Sequence, residues 1–396
     1  MSKEIFAPEQ YLSGHQLKLV GSGEPFFEQL LRLIDGAKKL LHFQVYIFEE
    51  DDTGRLIAAA LKRAAQRGVA VYLVLDSYGS KDISTAFIND LKAQGIQYKC
   101  FSPLPRYTYT VHLGRRLHHK VMVADNTEAL IGGINIADKY RGKAGEAAWL
   151  DFAIRVQGPV CVDISSICTR IFREKYFGKL KSQELKAHPA SFGKVLCRVA
   201  LNDWIRRKNQ ISISYQRAIK NAQESITIVA SYFLPGRRLR YVLKKAAQRG
   251  VKVNLLLPGK SDVQMAKRAT QFLYQWVLRY NIQIYEWEDT ILHGKLAIVD
   301  NKWVTIGSYN LNHLSQFSSI EMNMEVLDNG FAASVQAKLS ALMQQSKPIT
   351  ADALVLQARG IIDRFLDWGS YTLSRWIMLI LFFLIRREEK AISDEI

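Results

Sequence analysis

"RLHHKVMVADNTEALIGGIN", residues 116–135, returns farther along the chain as "ILHGKLAIVDNKWVTIGSYN", residues 291–310. In each stretch a His stands two places before a Lys and seven before an Asp, and an Asn follows 17 places after the His. Residues two apart on a strand share a face, so His118 points with Lys120 and His293 with Lys295. Asp125-Asn126 and Asp300-Asn301 are turn formers. Each stretch therefore reads as a β-hairpin. Folding about the turn brings Gly132-Gly133 back beside His118, and Gly307-Ser308 back beside His293. Small residues at these positions leave room for a ligand to approach the backbone.

The repetition reaches upstream. "KRAAQRGVAVYLVLD" (residues 62–76) becomes "KKAAQRGVKVNLLLP" (residues 244–258). Both read as the end of a basic amphipathic helix, a Gly stop and a buried strand. "AKKLLHFQVYIFEE" (37–50) parallels "AQESITIVASYFLP" (222–235), each leaving a β-rich run through a Tyr/Phe-bearing exit. The pattern predicts a duplicated α/β domain. Gly68 and Gly250 lie 182 apart but His118 and His293 only 175, so the first copy carries seven extra residues between them. These fall around "PLPRYTYTVHLGRR" (103–116), which reads as an aromatic, basic surface loop. The expected organisation is a first domain over 1–171, a linker over 172–205, a second domain over 206–345 and a tail over 346–396.

Length and composition agree with this plan. The 396 residues are 48% hydrophobic, enough to bury two cores. A formal charge of +17 attracts polyanions, either nucleic acid or an anionic membrane. Cys100, Cys161, Cys168 and Cys197 form no CxxC pair and read as free thiols. "MSKEIFAPEQ" lacks the basic start and apolar run of a signal peptide.

An imidazole, an ammonium, small residues and an amide on one surface suit a phosphate. Two such surfaces facing each other can hold one phosphodiester from both sides. One His can then attack phosphorus while the other protonates the leaving alcohol, after which the roles reverse. The lysines carry the charge of the transition state, so no metal or other cofactor is implied. The residues alone leave the two histidines interchangeable. A single His-x-Lys-x4-Asp match arises by chance roughly a few times in a thousand at ordinary residue frequencies. Two matches with shared Gly and Asn offsets inside a repeat are far more specific.

The paired pattern His118/Lys120/Asp125 and His293/Lys295/Asp300, with "GGIN" and "GSYN" downstream, resembles the phospholipase D superfamily. The resemblance covers roughly residues 15 to 330 and is strongest to the short bacterial cardiolipin synthases of the B type. It implies two α/β/α sandwich domains packed face to face over one active site, followed here by an apolar helical tail. It implies a phosphatidyltransferase: a phosphatidyl group passes from a phospholipid, with phosphatidylglycerol the expected donor, to a histidine. A second phosphatidylglycerol then accepts it, releasing glycerol and giving cardiolipin. By the resemblance His118 is the nucleophile and His293 the acid/base. Lys120 and Lys295 complete the catalytic set with Asp125 and Asp300, the aspartates being chiefly structural. Asn135, Asn310, Gly133 and Ser308 are expected at the phosphate. The family also sets an acidic residue behind each His; Asp151 in "AAWLDFAIRV" fits in the first half and Glu321 in "SSIEMNMEV" in the second. A carboxylate there fixes the tautomer and stabilises the imidazolium.

Several features admit plainer readings. His112, His118 and His119 lack the Cys or carboxylate that would complete a zinc site. His119 alternates off the face of His118 and reads as a packing or surface residue, and His15, His42, His188 and His313 as structural or exposed. Arg115 and Arg116 either meet an anionic head group or sit in a solvated loop. In the tail, Trp376–Ile385 is an unbroken apolar run of ten residues, short of the ~20 needed to cross a bilayer. With Arg375, Arg386, Arg387, Trp368 and Trp376 it suits an interfacial helix, the plain alternative being packing on the protein's own core. The expected partners are anionic phospholipids (phosphatidylglycerol and cardiolipin) and the membrane surface. The expected location is the cytoplasmic face of the bacterial inner membrane. The tail argues against nucleic acid. The rival readings are a phosphodiesterase hydrolysing phospholipid or nucleic acid, and a non-catalytic membrane scaffold.

Overall fold

The computed structural model describes residues 10–103, 115–173, 191–204, 206, 208–312, 315, 319–350, 363 and 365–377. Both "AQRG" segments close a helix as their composition predicts. The helix Asp52–Gln66 ends into Gly68 and the helix Arg237–Gln248 into Gly250, with φ of 86° and 88°. That left-handed conformation disfavours side chains with a Cβ and turns the chain sharply into the next strand.

The strands of the first half are β1 (Leu12–Gly21), β2 (Leu40–Val45), β3 (Ala70–Asp76), β4 (Gln97–Phe101), β5 (Arg116–Leu117), β6 (Lys120–Ala124), β7 (Glu128–Gly132) and β8 (Phe152–Gln157). Those of the second are β9 (Val195–Asp203), β10 (Lys208–Asn209), β11 (Ser225–Ala230), β12 (Lys252–Pro258), β13 (Gln283–Trp287), β14 (Lys295–Val299), β15 (Trp303–Gly307), β16 (Ser319–Leu327) and β17 (Lys347–Ile349). The first sheet runs β1-β8-β7-β6-β2-β3-β4. The second runs β9-β16-β15-β14-β11-β12-β13, with β17 added at the far edge. In each, the helix-connected strands are parallel and the hairpin strands antiparallel, so the duplication is complete at the level of topology. Strands β1 and β9 pair antiparallel and join the halves.

Alternation along the strands divides the interior into three cores. In β6, Met122 and Ala124 face the helices Glu24–Gly36 and Asp52–Gln66, while Val121 and Val123 face inward. In β14, Ala297 and Val299 face the helices Gln210–Asn221 and Arg237–Gln248, while Leu296 and Ile298 face inward. The inner faces of both sheets enclose the helices Val160–Arg173 and Asn329–Gln344 in one shared core. At roughly 1.5–3 kcal/mol per buried aliphatic side chain, a handful from each half is enough to lock the two together.

Two expectations about boundaries are corrected. The strand β9, assigned to the linker, pairs with β16 from Leu196 opposite Leu327 to Asn202 opposite Glu321 and belongs to the second sheet. Its sequence, "VLCRVALND", hides this because Arg198 is tied to Glu325 and Asn202 is buried. The second unit also runs past 345, to β17. The expected linker residues 174–190 lie outside the described residues, as do most of the aromatic loop, His112, His188, His313 and the tail beyond 377.

Both motif hairpins turn as predicted. Asp125, Asn126, Asp300 and Asn301 have φ of 51°, 60°, 53° and 48°, and Thr127 and Lys302 close the turns onto Ala124 and Val299. Asp125 accepts the N–H groups of Lys38, Lys39 and Leu40 at 2.8, 2.8 and 2.9 Å. Asp300 accepts those of Gln223, Glu224 and Ser225 at 2.9, 2.8 and 3.0 Å. Both aspartates are thus tied to the backbone at the start of the neighbouring strand. They stand beyond the opposite end of a five-residue strand from the His, seven residues or about 23 Å away along the chain, and brace the start of β2 and β11. Asp300 is buried, whereas two of the Asp125 bonds are exposed. Asp300→Ala should accordingly cost about 2–4 kcal/mol in a denaturant titration and Asp125→Ala less. A stable Asp300→Ala protein that has lost its chemistry would contradict the structural role.

Candidate active site

The two histidines sit just before β6 and β14, and each is stitched to the opposite half. The His118 N–H donates to the Ile320 carbonyl at 3.0 Å, where β5 runs parallel to the start of β16. Symmetrically, the His293 N–H donates to the Leu150 carbonyl at 2.7 Å, and the Leu150 N–H to Ile291 at 2.8 Å. The next residues along are Glu321 and Asp151. As a result His118 Nδ1 meets Glu321 Oε2 at 2.9 Å, and His293 Nδ1 meets Asp151 Oδ2 at 2.7 Å. The sequence reading paired Asp151 with the first motif and Glu321 with the second; the structure exchanges them. Asp151 stands just before β8 and Glu321 near the start of β16, and that end of each strand abuts the other half's motif. An ionised carboxylate only accepts hydrogen bonds, so Nδ1 carries the proton and Nε2 is left for chemistry.

The small residues pack against these carboxylates. A Cβ on Gly133 would lie 2.4 Å from Asp151 Oδ1. Ser308, at the matching position, donates to Glu321 Oε2 at 2.5 Å and accepts the Met322 N–H at 3.1 Å. Gly133 and Ser308 therefore hold the residues that hold the histidines. The asparagines brace the strand exits. Asn135 Oδ1 accepts the Ile47 N–H at 3.0 Å and its amide donates to Tyr140 at 2.8 Å. Asn310 Oδ1 accepts the Ser231 hydroxyl at 3.0 Å, and its Nδ2 has no partner among the described residues.

Lys120 and Lys295 are both buried. Lys120 donates to the His118 carbonyl at 2.5 Å and lies 5.1 Å over the Tyr46 ring. Lys295 donates to the His293 carbonyl and lies 3.2 Å from His293 Nε2. Desolvation, offset in part by Glu321 and reinforced by Lys295, lowers the Lys120 pKa to about 7. Desolvation, offset by Asp151 and Glu321, lowers that of Lys295 to about 8. Burial likewise lowers both histidines and raises Asp151 to about 7. The crossed contacts of His118 with Glu321 and of His293 with Asp151 bring both His-Lys pairs to the seam between the halves. A lysine moved from 10.5 to about 7 is disfavoured in its charged form by on the order of 5 kcal/mol. An anion in the cleft relieves that.

Aromatic rings break the symmetry. Tyr46 packs edge-on against His118 with centroids 4.9 Å apart. Around His293 stand Tyr140 at 5.4 Å, Trp149 at 6.1 Å and Tyr232 at 6.4 Å. Sequence reasoning noted the Tyr-bearing strand exits but could not place these rings, because they converge from separate loops. His119 turns away from the cleft, as alternation predicts, and bonds Gln44 at 2.9 Å. Arg115 grips Asp203 at 3.1 and 2.5 Å, and Arg116 lies 3.5 Å from Asp76. Both are built into the frame beside His118 rather than solvated.

In the described part of the tail, a helix over 365–377, with Asp363 ahead of it, rests on the helix Gln264–Phe272. Arg268 lies 3.3 Å from Asp363 and 3.5 Å from Asp367, and Tyr371 stacks on Phe272. Phe365, Leu366, Trp368, Leu373, Trp376 and Ile377 remain exposed. Among the described residues no helix is long and apolar enough to cross a membrane.

The family profile described as "Cardiolipin synthase, PLD-like domain" matches residues 30–155 and 215–343, once in each half. The cardiolipin synthase B of Salmonella typhi is 32% identical over 336 residues, covering 83% of this chain and 81% of that protein. That of Escherichia coli K12 is 30% identical over the same shares. A phosphatidylserine synthase structure from Haemophilus influenzae superposes with a TM-score of 0.74 at 14% identity, covering 93% of this chain and 97% of that one. This last likeness speaks for the fold.

The lysine environment carries a pH dependence. Sulfate is a dianion throughout the neutral range, so only the protein titrates. As pH rises from 6 to 9, Lys120 and then Lys295 lose their protons, and sulfate affinity measured by calorimetry should fall by about tenfold or more. A flat profile would contradict the site.

Proposed function

The chain belongs to the cardiolipin synthase family of phospholipase D-like proteins, and we propose that it transfers phosphatidyl groups to make cardiolipin. The observation that carries this reading is the pair of crossed His–carboxylate contacts inside a single lysine-lined cleft. His118 Nε2 attacks the donor's phosphorus, forming a P–N bond as the P–O bond to the head-group alcohol breaks. Burial, with Lys295 and Lys120, holds the His293 pKa well below its usual value. The bound phosphodiester's charge offsets the two lysines, so His293 takes up a proton at Nε2 and gives it to the departing oxygen. Neutral His293 then takes a proton from the glycerol hydroxyl of a phosphatidylglycerol, whose oxygen displaces His118 and closes the new phosphodiester.

Burial keeps the His118 imidazole neutral and hence nucleophilic, while Glu321 holds its Nδ1 proton. Asp151 performs the same service for His293 and stabilises the imidazolium when it forms. Lys120 and Lys295 compensate the extra charge on the phosphoryl oxygens, and the Asn310 amide is a further donor. One phosphodiester is exchanged for another, so the reaction needs no external energy source. Phosphatidylglycerol as donor releases glycerol, which diffuses away and draws the reaction forward.

The exposed apolar face of the 365–377 helix and the net charge of +17 suit peripheral attachment to the anionic cytoplasmic leaflet. Deleting the residues after Ser370 should release the protein from phosphatidylglycerol vesicles in a flotation assay; unchanged flotation would overturn this attachment.

The function is tested with purified protein, head-group-labelled phosphatidylglycerol and chelator. The expected products are cardiolipin and glycerol, and His118→Ala or His293→Ala should lower turnover at least 1,000-fold, roughly the loss on removing a nucleophile or its base, while vesicle binding is kept. Phosphatidic acid as sole lipid product would identify a hydrolase. Full activity in the His variants would overturn the mechanism.

A further inference from the structure

Because the two halves repeat one plan, a charged cleft residue found on one side only marks where the two ends of the substrate differ. Asp262 is such a residue. It follows β12, and at the repeat offset its counterpart after β3 is Ser80. The Ser80 hydroxyl is committed to structure, donating to the Tyr46 carbonyl and accepting the Phe48 N–H, both at 3.0 Å. Asp262 instead receives the Tyr232 hydroxyl at 2.9 and 2.8 Å from its two oxygens. The Tyr232 ring stands edge-on to His293. Asp262 is exposed, and no Lys or Arg among the described residues forms an ion pair with it, in a chain whose formal charge is +17. Its charge nevertheless favours the protonated forms of His293 and Lys295.

A free carboxylate beside a phosphate site repels the phosphate. Its presence is explained by a ligand group that carries hydroxyl donors. An ionised carboxylate has about four lone-pair positions, and the Tyr232 hydroxyl occupies only part of them. The rest can accept two neighbouring O–H groups. In-line displacement sets the leaving or entering alcohol opposite the attacking His118, which is the His293 side, where Asp262 stands.

We infer that Asp262, steadied by Tyr232, binds the vicinal hydroxyls of the glycerol head group and so selects a polyol as the alcohol exchanged at His293. This rests on the transferase reading given under the proposed function. It makes Asp262 a specificity residue, since a mono-ol has no second hydroxyl to donate, and an anionic head group meets repulsion.

The test uses the full chain, phosphatidylglycerol vesicles as donor and two soluble acceptors, 1,2-propanediol and 1-propanol. Wild type should prefer the diol. Asp262→Asn, and Asp262→Ser, which installs the first half's residue, should each lower the diol-to-propanol ratio of kcat/KM about tenfold, the effect of losing one hydrogen bond to a charged acceptor. An unchanged ratio, including an equal fall with both alcohols, would overturn the inference while leaving the transferase reading intact. A wild-type protein that transfers to no alcohol at all would overturn both.

Discussion

Each imidazole in the cleft is held by a carboxylate from the other half of the molecule. His118 rests on Glu321 and His293 on Asp151, and the backbone bonds from His118 to Ile320 and from His293 to Leu150 fix the approach. Both carboxylates are fully buried. Removing one partner of such a pair costs about 3–5 kcal/mol, because the other is left buried and uncompensated. The halves therefore cannot shift relative to each other without breaking the groups that orient the catalytic rings. One duplicated hairpin, which alone would bind an anion weakly, becomes a two-sided site only through this exchange.

The remaining architecture follows from that exchange. The shared inner core holds the sheets at the spacing the contacts need, and the motif aspartates pin each hairpin turn to the strand beside it. The lysines sit where desolvation and repulsion disfavour their charge, so the cleft is primed for a phosphate. Positioning and electrostatics are thus prepared before substrate arrives, which is where most catalytic advantage of this kind originates.

Much of this was legible in the residues. The spacing of His118, Lys120 and Asp125, repeated at His293, Lys295 and Asp300, gave the hairpins, and the φ values of the turns agree. Alternation correctly turned His119 away from His118. The local pattern could not reveal which carboxylate serves which histidine, because that depends on contacts between halves more than 140 residues apart in sequence. Nor could it show that Gly133 and Ser308 pack against Asp151 and Glu321, since a small residue looks the same whether it makes room for a phosphate or for a neighbouring side chain. The strand β9 was hidden by Arg198 and Asn202, polar residues whose partners lie elsewhere in the fold. Symmetry carried the reading far, and the residues that break it, Tyr232 and Asp262 among them, were invisible until loops from separate elements were brought together.

The crossed pairing is most directly measured by the ring-nitrogen shifts of the two active-site histidines in protein labelled with ¹⁵N-histidine. With Asp151→Asn the Nδ1 resonance of His293 should move and that of His118 should hold, and with Glu321→Gln the reverse. Perturbation of the histidine in the same half as the substituted carboxylate, in either variant, would contradict the account.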